Sequence, residues 1–545
     1  AIRSIFKKGR HNVMKIVSLG IGLAVGLVLI AKVYFEQSYD DFYPDRDRVY
    51  QVWAKYQQNG GELKDYPQTS GGIAPTMQQQ IPEIETVTRY TSFGDWTFTM
   101  TDTKMKYSGR CIIADSCFFD ILPRPMLIGN AKEVLSIPMY VLVSSRIAKN
   151  IGGDVIGKNF TVDSSPGRTM TIGGVFEEVP ENSHSRYDVI VSMASAGRFM
   201  WEGSPTNMLG NDRYISYVKL HKGVNPLALE EQVRTFVNSY FPPEEQQKVG
   251  LSIDFSFHKL DNLHKELPQV KRMTWILSLL AFALIFTAVM NYILIVISSI
   301  VNRSKEVAVH KCYGASENNI HGMMFGEALV HIVLSLILAL LLILAFRGTV
   351  EELLATSLDS LLLSNGSLVL LGICILVFFV SGFMPGSLYA RIPVASAFRN
   401  YRENKRIWKK ALLLVQFVAT GFLVTMLVFV ARQYTFMVND RPGYAYENLA
   451  YCGLAGVDST SRAKILDEVM RLPGVVAATT VYQLPFEHAS GNNILLPGET
   501  QELFNIADLY WVGNGYLDMM EIPVIQGRSF TENVTNSREV MGDRR

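Results

Sequence analysis

The chain has 545 residues, with 51 Lys and Arg against 50 Asp and Glu, a formal net charge of +1 and 48% hydrophobic residues. That length points to several domains, and the balanced charge argues against a general nucleic-acid binder. Its five cysteines include no Cys/His group at zinc spacing, and nothing in the spacing of Cys111 and Cys117 requires them to pair.

Residues 1–13, AIRSIFKKGRHNV, are basic without one acidic residue, and the apolar run Ile16–Val33 follows. A signal peptide would end in a small-residue cleavage site. This run continues instead into YFEQSYDDF, so 1–35 reads as a cytoplasmic N-terminus and a retained first span. Gly22 and Gly26 form a G-x-x-x-G on which another helix could pack closely; ordinary span glycines are the alternative.

Residues 36–270 are polar and carry short β-rich runs: Val49–Tyr56, Trp96–Met100, Tyr140–Val143, Thr169–Phe176, Tyr187–Met193, Tyr214–Leu220 and Leu251–His258. Helical stretches such as Ser145–Ile151 and Leu227–Tyr240 lie between them, so the block reads as an α+β domain on the outer side of the membrane. Gly152–Asn159, GGDVIGKN, is close to a phosphate-binding loop. It lacks the magnesium-binding hydroxyl, and strand-like FTVD follows where a helix is required. Gly152 and Gly153 fit a helix end and turn better. Ser183 and His184 are neighbours, but no acid or nucleophile partner stands at a recognisable spacing. No catalytic, cofactor or metal residue is therefore assigned.

Residues 271–390 hold three more apolar runs. Trp275–Ile300 contains Asn291, expected to face another helix. Met323–Phe346 carries Glu327 and His331 four apart, suited either to proton movement or, by preference, to packing between helices. The acidic loop 347–366 precedes Ser367–Tyr389. Between the first two of these runs lies Val301–Glu327, VNRSKEVAVHKCYGASENNIHGMMFGE, whose Arg303, Lys305 and Lys311 place it in the cytoplasm. A helix over 302–314 is expected, ended by Gly314, with Ser316 capping the next helix.

Residues 391–410 carry seven Lys and Arg against Glu403 alone, a cytoplasmic linker. A fifth span, Ala411–Ala431, leads to a second outer domain at 432–545. That domain repeats the first: Asp120, Pro125 and Gly129 in FFDILPRPMLIGN have the spacing of Asp518, Pro523 and Gly527 in YLDMMEIPVIQGR. IFKK and IWKK stand before the first and fifth spans, and QIPEIETVTR answers RLPGVVAATT. Beginning at Ala and stopping in mid-pattern at Arg545, the chain reads as part of a longer, duplicated protein with three further spans.

RSKEVAVHKCYGAS followed by FGE resembles the coupling-helix pattern of FtsX/MacB-type ABC transporter permeases, R-x-x-E-x-x-x-x-[RK]-x-x-GA. Arg303, Glu306, Lys311, Gly314 and Ala315 fall on matching positions, and His310 departs from it. EQSYDDF, the glycines near Gly157 and VFEEVPENSH resemble the periplasmic core domain of MacB-like proteins. The resemblance implies an α-helical membrane domain with about five transmembrane helices in this fragment plus α+β extracytoplasmic domains. It implies the bacterial inner membrane and a partner: a cytoplasmic ABC ATPase subunit, present as a dimer, docked on Arg303, Glu306, Val307, Lys311, Tyr313 and Gly314. A periplasmic or outer-membrane partner is a further expectation. The expected role is a non-catalytic permease subunit that transmits ATP-driven movement outward for efflux, lipoprotein or antimicrobial-peptide handling. The alternative is an FtsX-like regulator of periplasmic cell-wall hydrolases.

Overall fold

The computed structural model describes residues 12–58, 61, 63–163, 165, 167–210, 212–298, 300–362, 366–390, 407–439, 443–454, 457–484, 490–495 and 502–528. Expectations on 1–11, on the basic segment 391–406 and on the side chain of Arg303 lie outside the described residues. The chain forms two units, Ala1–Phe422 and Leu423–Arg545.

In the first unit, a polar domain is inserted between two apolar helices. Its sheet has eleven strands. The path begins with β11 (Leu251–Lys259), β1 (Val49–Gln58) and β10 (Ile215–Leu220), with the short β2 (Lys64–Tyr66) pairing β1 off the path, and passes through β3 (Ile84–Met100) to β4 (Lys106–Ala114). It ends with β9 (Val189–Ser192), β6 (Tyr140–Ser144), β8 (Thr169–Phe176) and the short edge strand β5 (Met126–Ile128). β4–β9 and β6–β8 are parallel pairs, while β1 is antiparallel to both of its neighbours on this path.

β3 runs through two cores. Its first half pairs β10 beside a core of Val52, Val218, Val233 and Phe236. From Tyr90 onward it pairs β4, through a register shift between Ser92 and Gly94, and its end also pairs β7 (Asn159–Val162), over a core of Phe98, Phe160, Val141 and Ile172. Sequence reading found only the end of this strand, because alternation breaks at the bulge. The Gly-rich segment ends the helix Ser145–Ile151 at Gly152, whose φ is +74°, and strand β7 follows Lys158. It therefore lacks the helix that a phosphate loop needs. Cys111 and Cys117 are both free thiols.

Among the described residues, five helices are long and apolar enough to cross a membrane. Span 1 is Asn12–Gln37, span 2 Pro268–Ser298, span 3 Glu317–Ala345 and span 4 Ser367–Ala390. Span 1 packs between spans 2 and 3, in a cluster containing Leu19, Leu23, Leu27, Val289, Ile293 and Ile332. Span 5, Ile407–Asn439, exposes most of its described side chains. The strands that enter and leave the inserted domain are neighbours, with Tyr50 opposite Lys259. Both connections to the spans therefore leave the sheet side by side.

The second unit contains the helix Ser459–Met470 and a hairpin of β12 (Ser490–Leu495) and β13 (Glu502–Leu509). Its Asp518 is the third residue of a four-residue helix, Tyr516–Met519, as Asp120 is of Phe118–Ile121. Gly527 and Gly129 both have a positive φ, +95° and +85°. The Asp and Gly of the two triplets thus match in helix position and in the sign of φ, while a strand precedes Gly129 and none precedes Gly527.

Candidate functional site

Charged groups in an apolar helix persist only with partners, and span 1 carries such groups at both ends. At its start, Lys15 is 1% exposed, with Nζ 3.3 Å from Asn12 Oδ1 and 3.9 Å from Glu327 on span 3. One turn along span 3, His331 Nδ1 lies 3.2 Å from the Tyr292 hydroxyl of span 2. Ser335 Oγ donates to the Ile16 carbonyl at 3.1 Å. Glu327 and His331 thus belong to a polar seam joining spans 1, 2 and 3. Above the seam, a Cβ added to Gly22 would stand 2.2 Å from Ala288 Cβ, and one at Gly26 would stand 2.4 Å from Ile285. The G-x-x-x-G face therefore lies directly against span 2.

Asn291 is a correction. Expected to face another helix, it lies on the exposed side of span 2, and its neighbour Tyr292 is the buried polar residue. Adjacent residues of a helix point to different sides, so only one can join the seam.

Between spans 2 and 3 the chain forms the connecting helix Ile300–Cys312. Ala315 N–H donates to the His310 carbonyl and Gly314 N–H to that of Lys311, both at 3.0 Å, with Gly314 at φ +88°. This is a Schellman end, in which glycine adopts the left-handed conformation without a Cβ penalty. Ser316 then accepts the Asn319 N–H and caps span 3. The helix buries Ser304, Val307 and Ala308, and the last two join the cluster that holds span 1.

Val307 is a second correction. At 1% exposure it cannot touch a partner chain. Its face, i to i+4, is the one that the helix turns toward the spans. The exposed face carries Lys305, Val309, His310 and Tyr313, the last 89% exposed. Glu306 and Lys311 lie at its margins, half-buried.

At the outer end of span 1, Asp40 is fully buried at φ +60°. Its backbone N–H donates to the Asn182 carbonyl at 2.9 Å. Its carboxylate accepts Ser183 Oγ–H at 2.9 Å and His184 Nδ1–H at 2.6 Å. His184 Nε2 contacts the Tyr217 hydroxyl and lies 3.1 Å from Ser185 Oγ. An Asp–His–Ser row is chemically suggestive, and Asp40 is the acid that spacing alone did not reveal. Yet Ser185 is buried and its hydroxyl lies 2.6 Å from that of Tyr90, so the row acts as a tie between the span and the sheet. One turn earlier, Glu36 pairs with Lys32 at 2.7 Å and accepts His264 Nε2–H at 2.6 Å. Glu36, Asp40 and His184 lie in EQSYDDF and VFEEVPENSH, the stretches that carry the family resemblance, whereas Lys15, Lys32 and His264 passed unnoticed. The only signal for the Lys32–Glu36 pair is its spacing of four residues at the end of an apolar run.

Among the described residues no group of His, Cys, Asp and Glu could hold a metal ion. Residues 14–236 match the MacB-like periplasmic core domain, and residues 278–394 match the FtsX-like permease C-terminal domain. A domain of a permease protein from Porphyromonas gingivalis is 32% identical, covering 40% of this chain and 91% of that one, with a TM-score of 0.37. The periplasmic region of MacB from Actinobacillus actinomycetemcomitans is 15% identical over 40% of this chain and 91% of its own, with a TM-score of 0.28. The extracellular domain of YknZ, a noncanonic ABC-type transporter from Gram-positive bacteria, is 11% identical over 38% and 98%, with a TM-score of 0.27. No curated protein matches the chain. The two domain matches together take in more than half of the residues, and they occur in the order expected for a multi-pass permease that works with a cytoplasmic ATPase. The chain belongs to the MacB/FtsX-type ABC transporter permeases.

Proposed function

We propose that this permease transmits ATP-driven movement from its ATPase to its outer domain, and so acts on a cargo outside the membrane. The cargo classes are an efflux substrate, a lipoprotein or an antimicrobial peptide. In this reading the connecting helix docks on the ATPase through Lys305, Val309 and Tyr313, with Arg303, Glu306 and Lys311 as polar contacts. Gly314 ends the docking surface.

The observation that carries the reading is a shared core. Val307 and Ala308 of the connecting helix are buried in one cluster with Leu19, Leu23 and Leu27 of span 1. A close-packed interior transmits displacement instead of absorbing it. A push on the helix therefore reaches span 1, whose far end is tied to the outer domain through Asp40 and His184. This is a two-state element biased from one side.

The test uses the full chain in nanodiscs, co-expressed with the ATPase subunit of its own genome. Val309→Asp puts a charge into a desolvated contact, at a cost of about 2–7 kcal/mol. Copurification and stimulated ATP hydrolysis should fall while the permease keeps its thermal transition. Unchanged binding and hydrolysis would remove the connecting helix from the mechanism. A cell-wall hydrolase retained specifically by the outer domain would instead assign the chain to hydrolase control.

A further inference from the structure

Span 1 leaves the membrane through buried charges that apolar packing alone would not require. Lys32 Nζ lies 2.7 Å from Glu36 Oε1, donates to Thr356 Oγ1 at 2.8 Å and stands 5.1 Å from the Phe35 ring. The second Glu36 oxygen takes His264 Nε2–H at 2.6 Å, and the His264 ring stacks on Tyr39 at 3.4 Å, with 6° between the planes. Three segments distant in sequence thus meet on Lys32 and Glu36. They are the end of span 1, the stalk from β11 into span 2, and the loop between spans 3 and 4. The same loop reaches the sheet domain, because Ser357 N–H donates to Glu181 Oε2 at 3.0 Å.

Beside these charges, Ala31 and Phe35 pack against Leu361 of the loop. Apolar contact therefore already joins span 1 to the loop. A buried ion pair roughly breaks even against an apolar replacement of the same shape, so stability does not explain it. What the charges contribute is discreteness. Lys32 and Glu36 pair within span 1, so sliding by a turn would leave that pair intact but strip Lys32 of Thr356 and Glu36 of His264. Such a contact is either made or broken, as a mechanical switch requires.

We propose that Lys32, Glu36 and His264 form a clasp that locks the stalk and the span 3–4 loop to span 1, and that its release frees the outer domain to move. These are positioning residues. The proposal deepens the transmitter reading above and rests on it for its purpose, though the clasp itself can be tested without nucleotide or partner.

The experiment is hydrogen–deuterium exchange on the full chain in nanodiscs. It compares wild type, Glu36→Gln, His264→Ala and the double variant. Peptides within 259–267 should lose protection by about ten- to a hundredfold in each single variant, the range for one hydrogen bond to a charged group. The double variant should lose clearly less than the sum of the two singles, because both remove the shared Glu36–His264 bond, while the Lys32 pair and the Tyr39 stack are each touched by one variant alone. Peptides of β10 should be unchanged, which separates release of the stalk from unfolding. Additive losses, or none, overturn the clasp. Adding the ATPase and a non-hydrolysable nucleotide gives the second arm. Wild type should show a nucleotide-driven change at 259–267, and Glu36→Gln should lose it while still binding the ATPase. A coupled double-variant cycle with no nucleotide response in wild type would uphold the clasp and overturn the transmitter reading alone.

Discussion

The imidazole of His184 donates through Nδ1 to the carboxylate of Asp40 at 2.6 Å, across 144 residues of chain. Asp40 is the first left-handed residue after span 1, and a non-glycine residue in that conformation persists only where its surroundings hold it. Here Ser183, His184 and the backbone of Asn182 provide that hold. Asp40→Ala removes the acceptor for Ser183 and His184 inside a buried site. The expected loss is about 3 kcal/mol, the scale for breaking a buried polar pair from one side. Thermal unfolding of the full chain in detergent measures it, and Asp40→Asn, which keeps one acceptor oxygen, should recover part of the loss.

Close approach of spans 1 and 2 depends on Gly22. An added Cβ would fall 2.2 Å from that of Ala288, so Gly22→Val must push the helices apart. Overpacking of this kind costs about 1–3 kcal/mol. Gly326→Ala is the control, since nothing lies within 4 Å of a Cβ there and alanine favours helix. A lower melting temperature for the first variant and none for the second is the expected outcome.

The connecting helix separates two effects that one substitution would confuse. Val307→Asp places a charge in the shared core and should destabilise the whole bundle by several kcal/mol, about 3 or more. Val309→Asp, on the exposed face, should leave the melting temperature within about a degree or two, as surface changes do. Differential scanning fluorimetry distinguishes them before any activity is measured.

Acid should loosen the start of the sheet. Asp45 is held below the usual carboxylate range by hydrogen bonds from Lys219 and Arg48, and Glu85 by one from Arg48. The bonds join the turn before β1 to β3 and β10, with Lys219 Nζ 2.6 Å from Asp45 and Arg48 2.6 Å from Glu85. Because both folded values lie below the unfolded ones, the stabilisation is full above the unfolded pKa and disappears as pH falls through the folded one. Both carboxylates are partly exposed, so the contribution is at most about 1 kcal/mol. Urea titrations at neutral pH should show Asp45→Asn less stable than wild type. The gap should close as the pH is lowered past the carboxylate range.

Much of this protein follows from local chemistry. The five spans, the breaks between them, the glycine end at Gly314 and the cap at Ser316 depend on nearest neighbours and apolar run length, so each is legible in a window of a few turns. The matching spacing of the two triplets is legible for the same reason: Asp120 and Asp518 each stand third in a four-residue helix. What only the tertiary structure decided is which side of each helix is covered. Periodicity grouped Arg303, Val307 and Lys311 on one face, but it could not say whether that face met spans or solvent. Asn291 was misplaced for the same reason: its polarity is local, whereas its burial depends on where spans 1 and 3 pass. The ties at the outer end lie further still from local reading. Glu36 meets His264 across 228 residues because β1 and β11 are antiparallel neighbours that bring both connections together, and Asp40 meets His184 because the loop between β8 and β9 reaches the end of span 1. A long-range pairing of buried charges is set by sheet topology, and no window of sequence around either residue contains it.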